Sequence, residues 1–310
     1  MPNQKQKKIL LSVDGSERAF DSVEYIGDMA PFRNMQVALY TVFSGIPVCY
    51  WDMEKQPKAT TAIREVKEWE HNQRKIIREY IEKAGNALID AGFSEKNISV
   101  NIHEREDGVA RDIVKESQNN YCAVAIGRTG GSRLREIVLG SIALKLLEKM
   151  SFGPTLIVGG KKGFSEKALI ALDGSEGAMR AVDFVGDMLS GSAFNISLLH
   201  IIRWDIGFEG EAFFTPQEHA EPHNPDVEMV FKDAIQRLVD KGIDSKDITT
   251  KIVSGVYSRA GAIVQEAAES GIGTIVVGRR GLSKVQEFFM GRVSNKVIQL
   301  AKKHAVWVVS

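Results

Sequence analysis

The chain repeats itself, and this constrains its fold more than any other feature. The run Lys8-Ile-Leu-Leu-Ser-Val-Asp14-Gly15-Ser16-Glu17 returns as Lys167-Ala-Leu-Ile-Ala-Leu-Asp173-Gly174-Ser175-Glu176. The match continues at Val23/Val182, Gly27/Gly186, Asp28/Asp187 and Met29/Met188, all 159 positions apart. A later block, Gly127-Arg128-Thr129-Gly130 with Gly140, returns as Gly278-Arg279-Arg280-Gly281 with Gly291, 151 positions apart. Two blocks matched in the same order imply a duplication. Two domains also suit 310 residues, at roughly 100–200 residues each. The segment Gly159-Gly160-Lys161-Lys162-Gly163 is glycine- and lysine-rich and no apolar period crosses it, so the reading is domain 1 at 1–160 and domain 2 at 161–310.

Within the first copy, short apolar runs alternate with helical periods. Ile9–Val13 ends in Asp-Gly-Ser and reads as a buried strand and turn, with Ser16 placed to cap the following helix. Ala19, Phe20, Val23 and Ile26 then recur at helical spacing. The spacing predicts strands over Val37–Phe43, Ile98–His103, Cys122–Ile126 and Thr155–Val158. It predicts helices over Lys67–Ala91, with Ile76, Ile77, Tyr80 and Ile81 inward, over Val109–Ser117 and over Ile142–Lys149. The second copy repeats the series from Ala168–Leu172 to Val306–Val309. Strands alternating with helices imply right-handed crossovers and a mostly parallel sheet covered on both faces, with ligands at the carboxyl ends of the strands.

Composition narrows the function classes. Forty basic and forty acidic residues cancel, so the chain has no general electrostatic reason to seek nucleic acid. No run approaches the ~18 apolar residues of a membrane helix. Two cysteines, Cys49 and Cys122, lie far apart and fit neither a redox pair nor a metal site; the usage suits a reducing cytoplasm. Cys122, inside the run Tyr121–Ile126, reads as a small buried hydrophobe.

The chemistry is concentrated late in each copy. A strand runs straight into Gly127-x-x-Gly130, and nine residues later Gly140-Ser141 opens a helix; the second frame is Gly278-x-x-Gly281, nine residues, then Gly291-Arg292-Val293-Ser294. Glycines allow a backbone to approach an anion closely, their N–H groups can point at phosphate oxygens, and a helix N-terminus adds donors and a positive dipole end. Arg128, Arg133 and Arg135, and likewise Arg279, Arg280, Lys284 and Arg292, add positive charge. The bland alternative is that the glycines only make tight strand–loop–helix turns and the arginines are solvated surface. Neither GxxxxGK[ST] nor GxGxxG occurs in these segments.

A first strand ending in Asp-Gly-Ser, followed late in the domain by Gly-x2-Gly-x9-Gly-Ser/Thr, resembles the universal stress protein family, and the resemblance covers both copies. It implies an α/β fold of two tandem doubly wound domains. Each would be an open five-stranded, mostly parallel sheet with helices on both faces, Rossmann-like and adenine nucleotide hydrolase-like. It implies ATP binding, with Mg²⁺ able to accompany the nucleotide. By position, Asp14 faces the nucleoside and the Val42 backbone meets adenine. Gly127, Arg128, Gly130, Gly140 and Ser141 hold ribose and phosphates. The matching positions are Asp173, Ile201, Gly278, Arg279, Gly281, Gly291, Arg292, Val293 and Ser294. Copy two departs at Arg292, where the family has Ser or Thr, and copy one at Ala143, where the family often has a second hydroxyl. For Asp14 and Asp173 a plain turn role competes, since Asp-Gly favours turns.

Other constellations carry less. His219 and His223 sit beside Glu218 and Glu221, but Pro222 argues against the helix that such metal spacing needs, so no metal site is assigned. His200 reads as structural. The segments Ser44–Ala62 and Arg203–Asp226 hold Tyr50, Trp51, Trp204, Phe208, Phe213 and Phe214 and read as long loops that cover the adenine or meet a partner. No catalytic set stands out. The leading reading is a cytoplasmic ATP-binding stress-response regulator. The alternatives are a slow ATPase or phosphotransferase, or a scaffold that binds no nucleotide. Family members commonly dimerise through the last strand, so Thr155–Val158 and Val306–Val309 are expected to pair and make an intramolecular pseudo-dimer, with a further homo-oligomer open.

Overall fold

The computed structural model describes residues 6–45, 60–129, 139–150, 153–159, 165–203, 225–281 and 290–310. Several sequence expectations lie outside these residues: Gly130, Arg133, Arg135, Lys284, Cys49, the His219/His223 pair, the aromatic loop residues Tyr50, Trp51, Trp204, Phe208, Phe213 and Phe214, and 160–163 at the boundary. The chain divides into two compact units, Met1–Asp28 with Arg33–Leu146, and Met29–Phe32 with Leu147–Ser310.

The first unit holds β1 (Lys8–Ser12), α1 (Glu17–Asp28), β2 (Gln36–Phe43), α2 (Thr60–Asp90), β3 (Ile98–Glu104), α3 (Val109–Ser117) and β4 (Ala123–Gly127), and α4 (Ser141–Lys149) begins in it. Its strands run parallel in the order β3-β2-β1-β4. Ile9, Leu10 and Leu11 of β1 and Val124 and Ala125 of β4 are at most 1% exposed, because central parallel strands carry elements on both faces and read as unbroken apolar runs. The edge strand β3 is mostly exposed. The α2 helix starts earlier than its apolar period suggests, and Ile76, expected inward, is 51% exposed. Ile81, Ala84 and Leu88 form the buried face; at about 100° per residue Ile76 lies roughly 140° away from Ile81 around the helix axis.

The second unit holds β5 (Thr155–Val158), β6 (Lys167–Leu172), α5 (Glu176–Leu189), β7 (Asn195–Arg203), α6 (Pro225–Asp240), β8 (Ile248–Val256), α7 (Arg259–Glu269), β9 (Thr274–Gly278), α8 (Arg292–Leu300) and β10 (Ala305–Val309). Its order is β8-β7-β6-β9-β10-β5, all parallel except the last pair. There β10 meets β5 antiparallel, with Val306 opposite Ile157 and Val308 opposite Thr155. The fifth strand of the first repeat therefore groups with the second unit. Trp307 of β10, fully buried, stacks on Phe32 at 6.0 Å and meets Phe184 edge-on at 5.7 Å. Each such pair contributes about 0.5–1.5 kcal/mol beyond area burial.

Candidate functional site

In each unit the strand order reverses between the first and fourth strands of the repeat, β1/β4 and β6/β9. That reversal opens a crevice at the strands' carboxyl ends. Both sides of each crevice can be built from the chain.

On one side stands the Asp-Gly-Ser turn. The Val13 N–H donates to Tyr40 O at 3.0 Å and the Thr41 hydroxyl donates to Val13 O at 2.9 Å, so the end of β1 is fixed to β2 before the chain turns. In the second unit His200 stands where Thr41 does, and its Nδ1 meets Leu172 O at 2.9 Å. Burial pulls the His200 ring below the ordinary histidine value, opposed by that hydrogen bond. The structural reading of His200 therefore holds. Asp14 Oδ1 accepts from the Ser16 N–H at 3.0 Å and the Ser16 hydroxyl at 2.6 Å, while Gly15 takes φ +81°. Ser16 Oγ in turn accepts from the Ala19 N–H at 3.1 Å and caps α1. Asp173 accepts from the Ser175 N–H at 3.0 Å, and Ser175 caps α5 through the Ala178 N–H. Both aspartates thus perform the turn role.

On the other side stands the glycine loop. The Gly140 N–H donates to Arg128 O at 2.8 Å, and the Gly291 N–H donates to Arg279 O at 2.8 Å. The same bond closes both loops and brings the N-terminus of α4, or of α8, back to the end of β4 or β9. This corrects one expectation: the N–H groups of Gly140 and Gly291 are engaged within the loop and do not point at a ligand. The donors left for an anion are those of the first helical turn, which have no partner within the helix. Ser141 is exposed there, and so is Arg292.

The arginines after the first glycines are not solvated surface. Arg128 is 7% exposed and Arg279 4%. Burial draws the Arg128 guanidinium down to about 10 and lowers Arg279. Arg279 donates through Nη1 to Met150 O and through Nη2 to Glu148 O at 3.0 Å, the carbonyls at the end of α4. It therefore faces a helix terminus instead of a ligand. Ser294 is also committed, its buried hydroxyl donating to Gly278 O at 2.7 Å. Ala143 at the matching place in copy one thus lacks a helix-to-strand tie, where the sequence suggested a phosphate contact. Val42 is half-buried at the end of β2, opposite His103. Ile201 is 6% exposed, at a register shift in the β7–β8 pairing. Val293 lies half-buried in the first turn of α8. Cys122 is half-buried beside β4, its thiol pushed up to about 11 by burial, which leaves it protonated at neutral pH.

Sequence reasoning missed Gly177, in the first turn of α5, where the first copy has Arg18. The repeat alignment carries the signal, since a glycine stands inside one of two equivalent helices. Among the described residues, no group of three His, Cys, Asp or Glu gathers to hold a metal, and no helix is long and apolar enough to cross a membrane.

A strand-order reversal of this kind, once in each unit, defines a tandem doubly wound α/β protein. The sequence model described as "Universal stress protein family" matches residues 5–159 and 165–310, so the chain belongs to that family, in tandem form. It is 28% identical over 142 residues to the universal stress protein YxiE of Bacillus subtilis, covering 44% of this chain and 93% of that one. It is 24% identical over 204 residues to a universal stress protein of Mycolicibacterium smegmatis, covering 64% of this chain and 65% of the relative. Among solved structures, a universal stress protein from Archaeoglobus fulgidus superposes with a TM-score of 0.67 at 20% identity, covering 99% of both chains. That likeness concerns the fold.

Proposed function

We propose that the chain binds ATP, accompanied by Mg²⁺, in the switch-point crevice of its glycine loop and acts as a cytoplasmic stress-response regulator. The adenine would lie along the backbone of Val42, with Asp14 facing the nucleoside. Gly127, Gly130, Gly140 and Ser141 would line the ribose and phosphates. The observation that carries the reading is the Gly140-to-Arg128 hydrogen bond, which returns the N-terminus of α4 to the carboxyl end of β4. A positive helix end whose first N–H groups have no partner within the helix supports an anion there. A methyl group built on Gly127 would meet its nearest atoms, Ala19 Cα and Arg18 O, at 3.4 Å, so the loop touches the first turn of α1 without overlapping it. Family membership supports the stress-response role. The domains in this reading are 1–160 and 161–310.

Differential scanning fluorimetry with ATP, ADP and adenosine tests the reading. A ligand that binds the folded state raises the melting temperature, by an amount worth about 2.7 kcal/mol at a hundredfold excess over Kd. ATP should raise it more than adenosine, because the phosphates meet the helix end. No rise with any of the three would refute nucleotide binding.

A further inference from the structure

The two crevices share a frame but differ in how closely the glycine loop lies on the helix after the first strand. Resting on the reading that such a crevice takes a nucleotide, we propose that only the first one does. The second is a closed copy, with its own Asp173 carboxylate standing where the anionic tail would enter.

Gly127 and Gly278 stand at equivalent places. In the first unit a methyl group on Gly127 would stand 3.4 Å from both Arg18 O and Ala19 Cα. In the second, a methyl group on Gly278 would stand 2.5 Å from Gly177 C, 2.6 Å from Gly177 O and 2.8 Å from Ala178 N, distances that no real side chain tolerates. A methyl group on Gly177 would overlap Arg280 O, and one on Gly281 would overlap Asp173 Oδ2. The second loop therefore lies flat on the first turn of α5, main chain against main chain. The carboxylate fills the space before Gly281. Exposure agrees: Asp14 is exposed and Asp173 half-buried, while Ser16 is half-buried and Ser175 only 7% exposed. The serine hydroxyl turns accordingly. Ser16 donates to Asp14 at 2.6 Å, whereas Ser175 is directed to Arg280 O at 3.5 Å.

The cause lies in the sequence. Gly177 is a residue whose missing Cβ lets a carbonyl come close, and Arg18 in the first copy does not permit this. Three positions of the second loop differ from the first or are already bonded. Arg292 replaces the serine found at Ser141, Ser294 is bonded to Gly278 O, and Arg279 holds the carbonyls of Glu148 and Met150. The second loop has a different role, in which it ties the end of α4 through Arg279. An anion entering it would have to displace a carboxylate already in place, against like-charge repulsion in a site where screening is weak.

Isothermal titration of the full chain with Mg·ATP tests this, alongside the variant Ser141→Asp. Ser141 is exposed at the first position of α4, where an added carboxylate suits the helix end and repels phosphate. An unchanged melting temperature of the variant without ligand establishes that it folds. The expected result is one ATP per chain for the parent and none for Ser141→Asp. Two per chain in the parent, with one surviving in the variant, overturns the closed second site while leaving nucleotide binding intact. One per chain that survives Ser141→Asp overturns it as well, by placing ATP in the second loop. No binding by the parent overturns the nucleotide reading and this inference with it.

Discussion

Replacing Gly177 by Ala, with Gly85→Ala as its partner experiment, converts the closed loop into a stability measurement. Both glycines lie in helices, where alanine is favoured over glycine by up to about 1 kcal/mol. At Gly85 in α2 the new methyl group would meet only Leu39 Cδ1, at 4.0 Å, so the helical gain stands unopposed. A rise of roughly 2–4 °C in the melting temperature follows for a unit of this size. At Gly177 the gain is smaller, because the position is in the first turn of α5. The new methyl group there overlaps the main-chain carbonyl of Arg280, which no rotamer change relieves. Overpacking of this sort costs about 1–3 kcal/mol. The net expectation is a loss of about 1–2 kcal/mol, a fall of roughly 2–8 °C in the transition of the second unit. Thermal unfolding by circular dichroism on the full chain reads both variants. If Gly177→Ala proved as stable as Gly85→Ala, the second loop would not rest on α5, and the closed-copy argument would lose its basis.

Two further outcomes follow from individual side chains. Burial holds the His200 ring below its ordinary 6.5, so between the folded value and about 6.5 the unfolded chain binds more protons than the folded one. His200 therefore contributes fully above that pH and costs stability as the pH falls below it. His200→Thr, which installs the residue of the first copy, should reduce the loss in urea midpoint between pH 7.5 and 5.5, and an unchanged loss would contradict this assignment. Arg279→Met should destabilise the second unit by on the order of 2 kcal/mol, because Glu148 O and Met150 O lose a charged donor at the end of a helix. A neutral effect on the denaturation midpoint would show that those carbonyls find other partners.

The architecture was legible because its cause is periodic. Apolar runs such as Ile9–Leu11 and Val124–Ala125 and the repeat at fixed offsets reflect burial on both faces of a sheet, and burial leaves a direct compositional mark. The turn Asp14-Gly15-Ser16 was legible for a similar reason, since its geometry needs those residue types locally. What was not legible depends on approach between distant segments. Nothing in the spacing says that the Gly140 N–H is engaged by Arg128 O, that Arg279 is buried against the end of α4, or that Gly281 faces a carboxylate. The glycine frame reads identically in both copies. The difference between them lies at Arg18 and Gly177, in a helix that the motif does not include. Ile76 fails for a simpler reason: an amphipathic period identifies a helix more securely than it fixes the width of the buried face, and α2 buries only a narrow one.

The central claim is that a nucleotide is gripped in the first crevice alone. A crystal structure of the chain grown with a non-hydrolysable ATP analogue tests it most directly. The account predicts electron density for one nucleotide, with its phosphates between Gly127 and the N-terminus of α4, and Asp173 still against Gly281. Density over the second glycine loop, or a first crevice filled by the protein's own side chains, would contradict it.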